Sequence, residues 1–246
     1  MRNSAAMPPD GLTLRQRLTW CAHLFKAVAK QHHGELRPLL RRYIASDSIV
    51  LDVGAHAGQF AKLFAGLASR GRVYAFEPSA YALSLLRPMV RVRRLRNVTV
   101  IAAGLSDAPG EAVLALPVKR SGSLGFGLAH LGADESDGRP RLQQTVPILT
   151  IDQFARSNDL ARVDFIKADI EGWEIRMLHG GRETLARFRP AVLVELSSAH
   201  LSRAGNRPEE AFALLGPLGY RAFRLDDPQR NLPAFAGDGD YLFVGR

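Results

Sequence analysis

Cysteine is almost absent from this sequence, and so are long apolar segments. The single cysteine, Cys21, excludes an intramolecular disulfide and any metal site built from several cysteines. No run of apolar residues approaches the ~18–20 residues that a membrane-spanning helix needs. The first ten residues lack the charged and then apolar pattern of a secretory signal, so we expect a cytoplasmic protein.

Positive charge, in contrast, is plentiful: 33 Lys and Arg residues face 24 Asp and Glu residues, which gives a formal net charge of +9. A dense arginine patch contributes to it and consists of Arg87, Arg91, Arg93, Arg94 and Arg96. Such a patch can meet nucleic acid or an acidic membrane, but no aromatic residues interleave with the arginines to stack on bases. We therefore favour a solvated surface or a small phosphate-bearing substrate, with nucleic-acid binding as the alternative.

Residues 12–45 have the periodicity of a helical extension. Apolar residues recur there at three- and four-residue spacing, with basic residues between them. The recurring residues are Leu14, Leu18, Cys21, Phe25 and Val28. A basic amphipathic helix can lie on a membrane, but we favour packing against the side of the main domain. The expected division is an N-terminal helical extension, 1–45, and one domain, 46–246.

From residue 48, short apolar runs alternate with helical patterns, which is typical of a parallel sheet with helices on both faces. The predicted strands are Ser48–Val53, Arg72–Phe76, Val98–Ala102, Val163–Ala168, Ala191–Leu196, Tyr220–Leu225 and Tyr241–Val244. No helical pattern separates the last two, so they should pair antiparallel. The fold class is therefore α/β, with a doubly wound, mostly parallel, seven-stranded sheet. Pro88 is expected to interrupt or end the helix that Ser79 caps.

Residues 110–150 break this alternation. Two β-like runs, Glu111–Val118 and Leu142–Ile148, flank a segment rich in Gly, Ser and Asp. This pattern predicts a hairpin-like insertion with its tip around Ser121–Gly127. Insertions of this length are either functional lids or disordered, and both interpretations stay open.

The strongest motif follows the first predicted strand and reads Asp52-Val-Gly54-Ala55-His56-Ala-Gly58. A glycine turn between a strand and a helix lets a ligand approach the backbone, because glycine has no Cβ. The helix start offers unpaired N–H groups to a carboxylate, and Asp52 at the strand tip could pair with a cationic amino group. This chemistry suits the amino-acid end of S-adenosylmethionine; an ordinary strand-to-helix turn is the alternative.

Two further acidic positions suit a nucleoside. Glu77 ends the second predicted strand in Phe76-Glu77-Pro78, where its carboxylate can accept hydrogen bonds from both ribose hydroxyls. Pro78 then starts the next helix. Ser106-Asp107 follows the third strand, and this carboxylate could accept a hydrogen bond from the adenine amino group. The structural alternatives are a helix-terminal carboxylate and a turn-forming Ser-Asp pair.

Three carboxylates follow the fourth predicted strand, between Lys167 and Glu174. Asp169, at the strand tip, could contact the methionine part of the cofactor or the acceptor, and Glu171 could hold or deprotonate the acceptor. Glu174 is expected to face solvent on the next helix. Neighbouring carboxylates raise one another's pKa, which suits a base, although Lys167 opposes that shift if its side chain lies near.

Glu195 ends the apolar fifth strand, so its charge must find a partner or reach the ligand crevice. His200 follows closely and is a candidate general base. His56 and His179 also lie near strand or helix ends, but neither has metal-ligand spacing to another histidine, and we expect no metal site. The fingerprint G-x-G-x-x-G is absent, which argues against a nicotinamide oxidoreductase.

Taken together and in this order, the motifs resemble those of the FkbM-type methyltransferase family. The matching segments are residues 50–58, 75–78, 149–152, 163–174 and 194–195, within a resemblance that covers roughly residues 45–225. The segment Asp169-Ile-Glu171-Gly172-Trp-Glu174 is its most telling part. His56 departs from the family, which commonly has Asn at this position.

The resemblance implies a Rossmann-like class I methyltransferase fold and S-adenosylmethionine as the methyl donor. It further implies O-methylation of a hydroxyl on a sugar, glycan or secondary metabolite, with Asp169 or Glu171 near this acceptor. Two alternatives stay open: an RNA or DNA methyltransferase, motivated by the net charge, and a non-catalytic cofactor-binding module. Against the first, the N/D-P-P-Y/F signature and a Pro-Cys nucleophile are both absent.

Overall fold

The computed structural model describes residues 14–117, 130–131 and 141–245, and the fold is given for these ranges. The strands are β1 (Ile49–Val53), β2 (Arg72–Phe76), β3 (Val98–Ile101), β4 (Gly104–Leu105), β5 (Gly110–Pro117), β6 (His130–Leu131), β7 (Arg141–Leu149), β8 (Phe165–Ala168), β9 (Ala191–Leu196), β10 (Tyr220–Arg224) and β11 (Gly239–Gly245). The α-helices are α1 (Leu14–Ala29), α2 (Arg37–Leu40), α3 (Gln59–Leu67), α4 (Ala80–Val92), α5 (Ile151–Ser157), α6 (Glu174–His179), α7 (Arg182–Phe188), α8 (Ser198–Arg203) and α9 (Glu209–Leu215). Short 3-10 turns lie at Gly34–Leu36 and Gly216–Leu218. No helix within these ranges has both the length and the apolar character needed to cross a lipid bilayer.

A seven-stranded sheet forms the centre of the fold, in the order β3-β2-β1-β8-β9-β11-β10. Only β11 runs against its neighbours, since it pairs antiparallel with both β9 and β10. The predicted antiparallel pairing of the last two strands is therefore confirmed, as is the α/β class with a seven-stranded, mostly parallel sheet. The chain leaves β1 in one direction through β2 and β3, and returns through β8 to the other side of β1. Open α/β sheets bind ligands at such a switch point.

Apolar helix faces cover both sides of this sheet. On one side α5, α6, α7 and α9 pack against the strands, and on the other side α2, α3 and α4 do so. The central strands β1, β2, β8 and β9 are buried nearly throughout because helices lie on both of their faces; the pattern in β1, for example, leaves only Ile49 partly exposed. The core is thus two apolar layers separated by one sheet, and the polar groups of the strands concentrate at the strand ends.

Two helix predictions need correction. Pro88 does not interrupt or end its helix, since α4 continues to Val92 with Pro88 inside it. Leu85, Leu86 and Met89 are all fully buried, and this packing offsets the backbone hydrogen bond that proline cannot make. Residues 12–45 do not form a continuous helix either: α1 ends at Ala29, and His33 adopts a left-handed conformation (φ 58°) before the next turn.

The predicted insertion is a β-hairpin. Strands β5 and β7 pair antiparallel from Gly110–Ile148 to Pro117–Arg141, and the two-residue strands β6 and β4 extend this second sheet on either side. Gln144 of β7 ties the hairpin to the main domain, because its side chain accepts a hydrogen bond from the N–H of Ala80 (3.0 Å). The expected tip, Ser121–Gly127, lies outside the described residues.

Candidate active site

A cleft of about 300 Å³ opens where β1, β2 and β8 end, next to the switch point of the sheet. Seven of the residues predicted from the motifs line it: Gly54, Ala55, His56, Glu77, Pro78, Asp169 and Glu171. Five do not: Asp52, Gly58, Ser106, Asp107 and His200. The parallel sheet therefore brings together, at one end of adjacent strands, residues as far apart in the sequence as Gly54 and Glu171.

The floor of the cleft is the turn after β1. Gly54 has a φ of 77°, and a Cβ at this position would lie 2.0 Å from the carbonyl oxygen of Asp169. The N–H groups of Gly54 and Ala55 both donate to the carbonyl of Phe76 (3.1 and 2.9 Å), which fixes the turn against β2. A side chain at position 54 would thus both strain the backbone and separate the ends of β1 and β8.

Gly58, which the motif predicted to be a cofactor-binding residue, serves the packing of two helices. It precedes α3 with a φ of 86°, and a Cβ there would lie 2.0 Å from the terminal methyl of Met89. The missing side chain lets α3 pack closely against α4. Gly58 therefore shapes the turn from behind and is not part of the cleft wall.

Glu77 is held in a fixed position beside this turn. Its carboxylate accepts hydrogen bonds from the N–H groups of His56 and Ser79, both at 2.8 Å. Burial raises the pKa of Glu77 to about 7, against the lowering effect of these two hydrogen bonds. The result is a preorganised acceptor at the end of β2, where a ribose would lie.

His56 contributes a second polar group to the same wall. Its backbone has a φ of 48°, and its Nε2 atom is buried without a hydrogen-bond partner in the described ranges. Burial lowers the pKa of this imidazole, so the ring is neutral at pH 7. A buried polar atom without a partner costs free energy in the empty fold, and a ligand polar group would remove that cost.

Asp52 lies behind the wall and not in it. Its side chain is completely buried, and neither carboxylate oxygen has a hydrogen-bond partner among the described residues. Burial raises its pKa to about 6, while the charge of Lys167 lowers it and that of Asp169 raises it. A direct contact between Asp52 and an amino group of the cofactor stays a prediction, and the burial of this side chain does not favour it.

The Ser106-Asp107 pair also lies away from the cleft. Ser106 donates a hydrogen bond to Asp107 (2.7 Å), and Arg176 lies 3.9 Å from the same carboxylate oxygen. The preceding residues, Ala103 to Leu105, line the cleft instead, because the chain turns into β4 directly after β3. The adenine contact assigned to Asp107 thus stays untested, and the structure turns its carboxylate toward Arg176.

Lys167 and Asp169 form the opposite side of the cleft at the end of β8. The Lys167 ammonium is buried and lies 3.5 Å from the Asp169 carboxylate and 3.4 Å from the carbonyl of Gly54. It also lies 5.0 Å from the centre of the Phe60 ring, over its face. Asp169 itself is 46% exposed, so its carboxylate is open to a ligand.

Glu171 and His200 form a close pair at the rim. The Glu171 carboxylate lies 2.9 Å from Nδ1 of His200, and both side chains are partly buried. Burial raises the pKa of Glu171 and lowers that of His200. A carboxylate at this distance favours the tautomer that has its proton on Nδ1, which leaves Nε2 as the basic nitrogen.

The prediction that Glu174 faces solvent is wrong. Its side chain is 2% exposed and accepts hydrogen bonds from the N–H groups of Ile170 (2.8 Å) and Gly172 (3.0 Å). Gly172, with a φ of 109°, passes close to the backbone of His200, where a Cβ would lie 2.2 Å from the carbonyl oxygen. Glu174 therefore holds the loop that carries Asp169 and Glu171, and this loop in turn meets α8.

Glu195 completes a group of carboxylates next to the rim. Burial, together with the charges of Asp169, Asp240 and Glu171, raises its pKa to about 7. Asp240 comes from β11, directly opposite Glu195 in the sheet. Within the described residues, no group of three or more His, Cys, Asp or Glu side chains is arranged to hold a metal ion.

Some residues of the cleft wall lie outside the motifs that were recognised in the sequence. Phe60 lies at the start of α3, and His33 stacks on its ring at 4.4 Å, so the segment after α1 reaches the cleft. Leu114 comes from the hairpin insertion. Only the long-range topology places these apolar and aromatic residues at the cleft, and no local spacing in the sequence could have found them.

Comparison with known proteins identifies the family of this chain. The profile of the FkbM methyltransferase domain matches residues 52–222, which is more than half of the chain. The chain belongs to the FkbM methyltransferase family. The resemblance seen in the motifs is thereby confirmed, and with it the cofactor: FkbM methyltransferases are S-adenosylmethionine-dependent.

One solved FkbM methyltransferase shares the fold of this chain. Methyltransferase FkbM from Methylobacillus flagellatus KT is 17% identical, with a TM-score of 0.51 over 81% of this chain and 44% of that chain. This chain thus spans less than half the length of that protein. The O-methyltransferase from Bacillus cereus, solved in complex with SAH, is 14% identical, with a TM-score of 0.49 over 97% of this chain and 94% of that one. A comparison with curated protein sequences found no match.

Proposed function

We propose that this FkbM-family protein transfers the methyl group of S-adenosylmethionine to a hydroxyl of a sugar, glycan or secondary metabolite in the cytoplasm. The observation that carries the proposal is the Glu171–His200 pair, 2.9 Å apart at the rim of the cleft. A hydroxyl must lose its proton as it attacks a methyl group, and a neutral imidazole oriented by a carboxylate is suited to take it.

The residues of the cleft fit the cofactor. The turn at Gly54 lets the end of β8 lie directly against the end of β1, since any Cβ there would meet the Asp169 carbonyl, and this close approach brings Asp169 to the cleft. We assign the ribose hydroxyls to Glu77, whose carboxylate is fixed by two backbone N–H groups. The adenine would lie along Ala103, Gly104 and Leu105, where the wall is apolar, and Asp169 would face the methionine end.

When bound, the cofactor supplies an electrophilic methyl group on its sulfonium. His200 would accept the hydroxyl proton of the acceptor on Nε2, and Glu171 would stabilise the resulting imidazolium through Nδ1–H. Asp169, open to solvent beside this pair, would orient the acceptor. The rest of the contribution is alignment, because a methyl transfer needs the acceptor oxygen in line with the bond that breaks.

The test is methyl transfer from S-adenosylmethionine to a panel of hydroxylated sugars, with amino sugars and oligonucleotides as parallel panels. Release of S-adenosylhomocysteine and the mass of the product report the reaction. The proposal predicts products methylated on oxygen, at a rate that rises with pH as His200 becomes neutral. Products methylated only on nitrogen, or only on nucleic acid, would contradict it.

A further inference from the structure

The net charge of the protein is concentrated on two segments. Residues 14–34 and 78–106 contain nine lysines and arginines and no Asp or Glu. The rest of the chain has the remaining 24 basic residues and all 24 acidic residues, so it carries no formal net charge. If the protein used arginine more often at all positions alike, the excess of positive charge would be spread along the chain. Instead, the whole net charge of +9 falls on these two segments.

The fold packs these two segments against each other through α1 and α4. The indole N–H of Trp20 donates to the hydroxyl of Ser84, and Nδ1 of His23 lies 2.9 Å from the hydroxyl of Tyr81. Because Trp20 meets the later residue of α4 and His23 the earlier one, the helices run antiparallel. The arginine-rich end of α4 therefore lies alongside the beginning of α1.

The outward side of this helix pair is unusually apolar. Phe25 is 75% exposed, Leu18 64% and Val92 60%, and these are three of the four large hydrophobic side chains that are exposed in the described residues. Leu18 and Phe25 are seven residues apart, so they lie on the same side of α1. The opposite side of α1 packs into the core through Trp20 and Leu24.

Exposed basic residues lie on the same two segments as these apolar side chains. We call the surface the basic face; it consists of Leu18, Phe25, Lys26, Lys30, Arg87, Arg91, Val92, Arg93, Arg94 and Arg96. Within the described part of the chain, none of its five arginines forms an ion pair with a carboxylate. The charge of Arg93 reaches Lys62, where burial and then this charge lower the lysine pKa.

We infer that the basic face is a docking surface for an anionic lipid bilayer. Protruding Phe and Leu side chains enter the boundary between headgroups and acyl chains, and Lys and Arg residues beside them meet the lipid phosphates. A bilayer can bind the apolar side chains and the basic side chains of this surface at the same time. The inference does not depend on which acceptor the enzyme methylates.

Charge and shape disfavour two other occupants. A second copy of the chain would bring two faces of the same strong charge together, and like charges in contact oppose association. A nucleic acid would pair with the arginines, but it would leave Leu18 and Val92 without an apolar partner, and no row of aromatic side chains is present to stack on bases. An anionic bilayer satisfies both the charge and the apolar side chains.

Vesicle co-sedimentation of the full chain tests the inference. Vesicles of phosphatidylglycerol and phosphatidylcholine should bind the protein at low salt, and pure phosphatidylcholine should bind it at least about tenfold more weakly. Arg91→Glu with Arg96→Glu should weaken binding to the anionic vesicles by more than about tenfold, since each basic group contributes about fivefold. Phe25→Asp should also weaken it, and in this variant the charge of the basic face falls by only one.

Matched variants elsewhere separate the face from the total charge. Arg207→Glu with Arg230→Glu makes the same change in net charge at exposed positions outside the face, and Val113→Asp places an acid at the fourth exposed apolar side chain. Both controls should bind anionic vesicles nearly as well as the wild type. Equal losses for face and control variants would overturn the inference, as would equal binding to phosphatidylcholine vesicles. It would also be overturned if the face variants lost affinity for an oligonucleotide while the wild type ignored anionic vesicles.

Discussion

The two sides of the cleft hold their carboxylates in opposite ways. At the ends of β1 and β2, Glu77 is fixed by two backbone N–H groups and has no acidic neighbour in the cleft wall on its own side. At the ends of β8 and β9, Asp169 lies close enough to Glu171 and Glu195 for its charge to raise the pKa of both. Their close basic partners are side chains: Lys167 lies beside Asp169 and His200 beside Glu171, and the charge of Arg203 also acts on Glu171.

We propose that this difference separates recognition of the cofactor from the chemistry of methyl transfer. A carboxylate held by the backbone keeps its position and suits a ligand that every catalytic cycle must bind in the same way. A carboxylate that lies against an imidazole, as Glu171 does, can stabilise the charge that the ring gains when it takes a proton, which suits proton transfer. The account therefore expects cofactor affinity to depend on the β1–β2 side and turnover on the β8–β9 side.

The largest expected effect is on turnover, from His200→Ala. Loss of the general base should lower kcat by about 10²–10⁴-fold while the affinity for S-adenosylmethionine stays unchanged. Glu171→Gln keeps an acceptor for Nδ1–H and should cost less than His200→Ala. Steady-state kinetics with a methyl acceptor, together with calorimetric cofactor titration, measures both quantities. If His200→Ala lowered kcat and the affinity for S-adenosylmethionine equally, the two sides of the cleft would not have separate roles.

The next effect is on cofactor affinity, from Gly54→Val. A side chain here would collide with the Asp169 carbonyl and demand a backbone with φ 77°. We expect affinity for S-adenosylmethionine to fall by at least about a hundredfold, which corresponds to ~2.8 kcal/mol. Circular dichroism and thermal unfolding should accompany the titration, and Gly54→Ala, with its smaller side chain, provides a milder second variant. Normal affinity in a folded Gly54→Val protein would show that the cofactor does not contact this turn.

A smaller effect is expected from Glu77→Gln. The amide retains one oxygen acceptor but places an NH₂ group against one of the two backbone N–H donors. Cofactor affinity should fall by about tenfold, or ~1.4 kcal/mol, with little change in kcat. Glu183→Gln, at an exposed carboxylate that pairs with Arg156, is the matched control and should leave affinity unchanged. If kcat alone changed, Glu77 would belong with the reacting groups.

The last expected effect is on stability and its pH dependence, at Glu195. Its pKa rises on folding from an ordinary value of 4.5 to about 7, because of burial and the neighbouring carboxylates. The folded state thus binds more protons than the unfolded state between these values, and stability falls as pH rises from about 4.5 to 7. Glu195→Gln cannot ionise, so its melting temperature should exceed that of the wild type at pH 7.5 and match it near pH 4.5. Equal melting temperatures at both pH values would mean that Glu195 is not held among like charges.

Much of the fold was predictable because the relevant signals are local. Continuous apolar runs marked the seven strands of the main sheet, and the glycine turn and Glu77-Pro78 marked the strand ends on the cofactor side. The prediction that Pro88 interrupts or ends its helix was wrong. It rested on local propensity, which disfavours proline in a helix interior. The burial of Leu85, Leu86 and Met89 depends on tertiary packing that the sequence alone does not reveal.

The acceptor side was less predictable because its contacts are long-range. The sequence separates Glu171 from His200 by almost thirty residues, and their 2.9 Å contact depends on how Gly172 lets α8 approach. The burial of Glu174 was missed for a related reason: its partners are N–H groups of a loop whose conformation no spacing specifies. Roles assigned to Asp52 and Asp107 stay predictions, and neither side chain lines the cleft.

The most direct test of the account is calorimetric titration of the purified protein with S-adenosylmethionine and S-adenosylhomocysteine, with NAD as the control ligand. The account predicts saturable binding of the first two at one site per chain and no competition from NAD. Absence of binding by a folded, ligand-free sample would contradict it. In that case, the glycine turn and the fixed Glu77 carboxylate would not form a cofactor site in this chain.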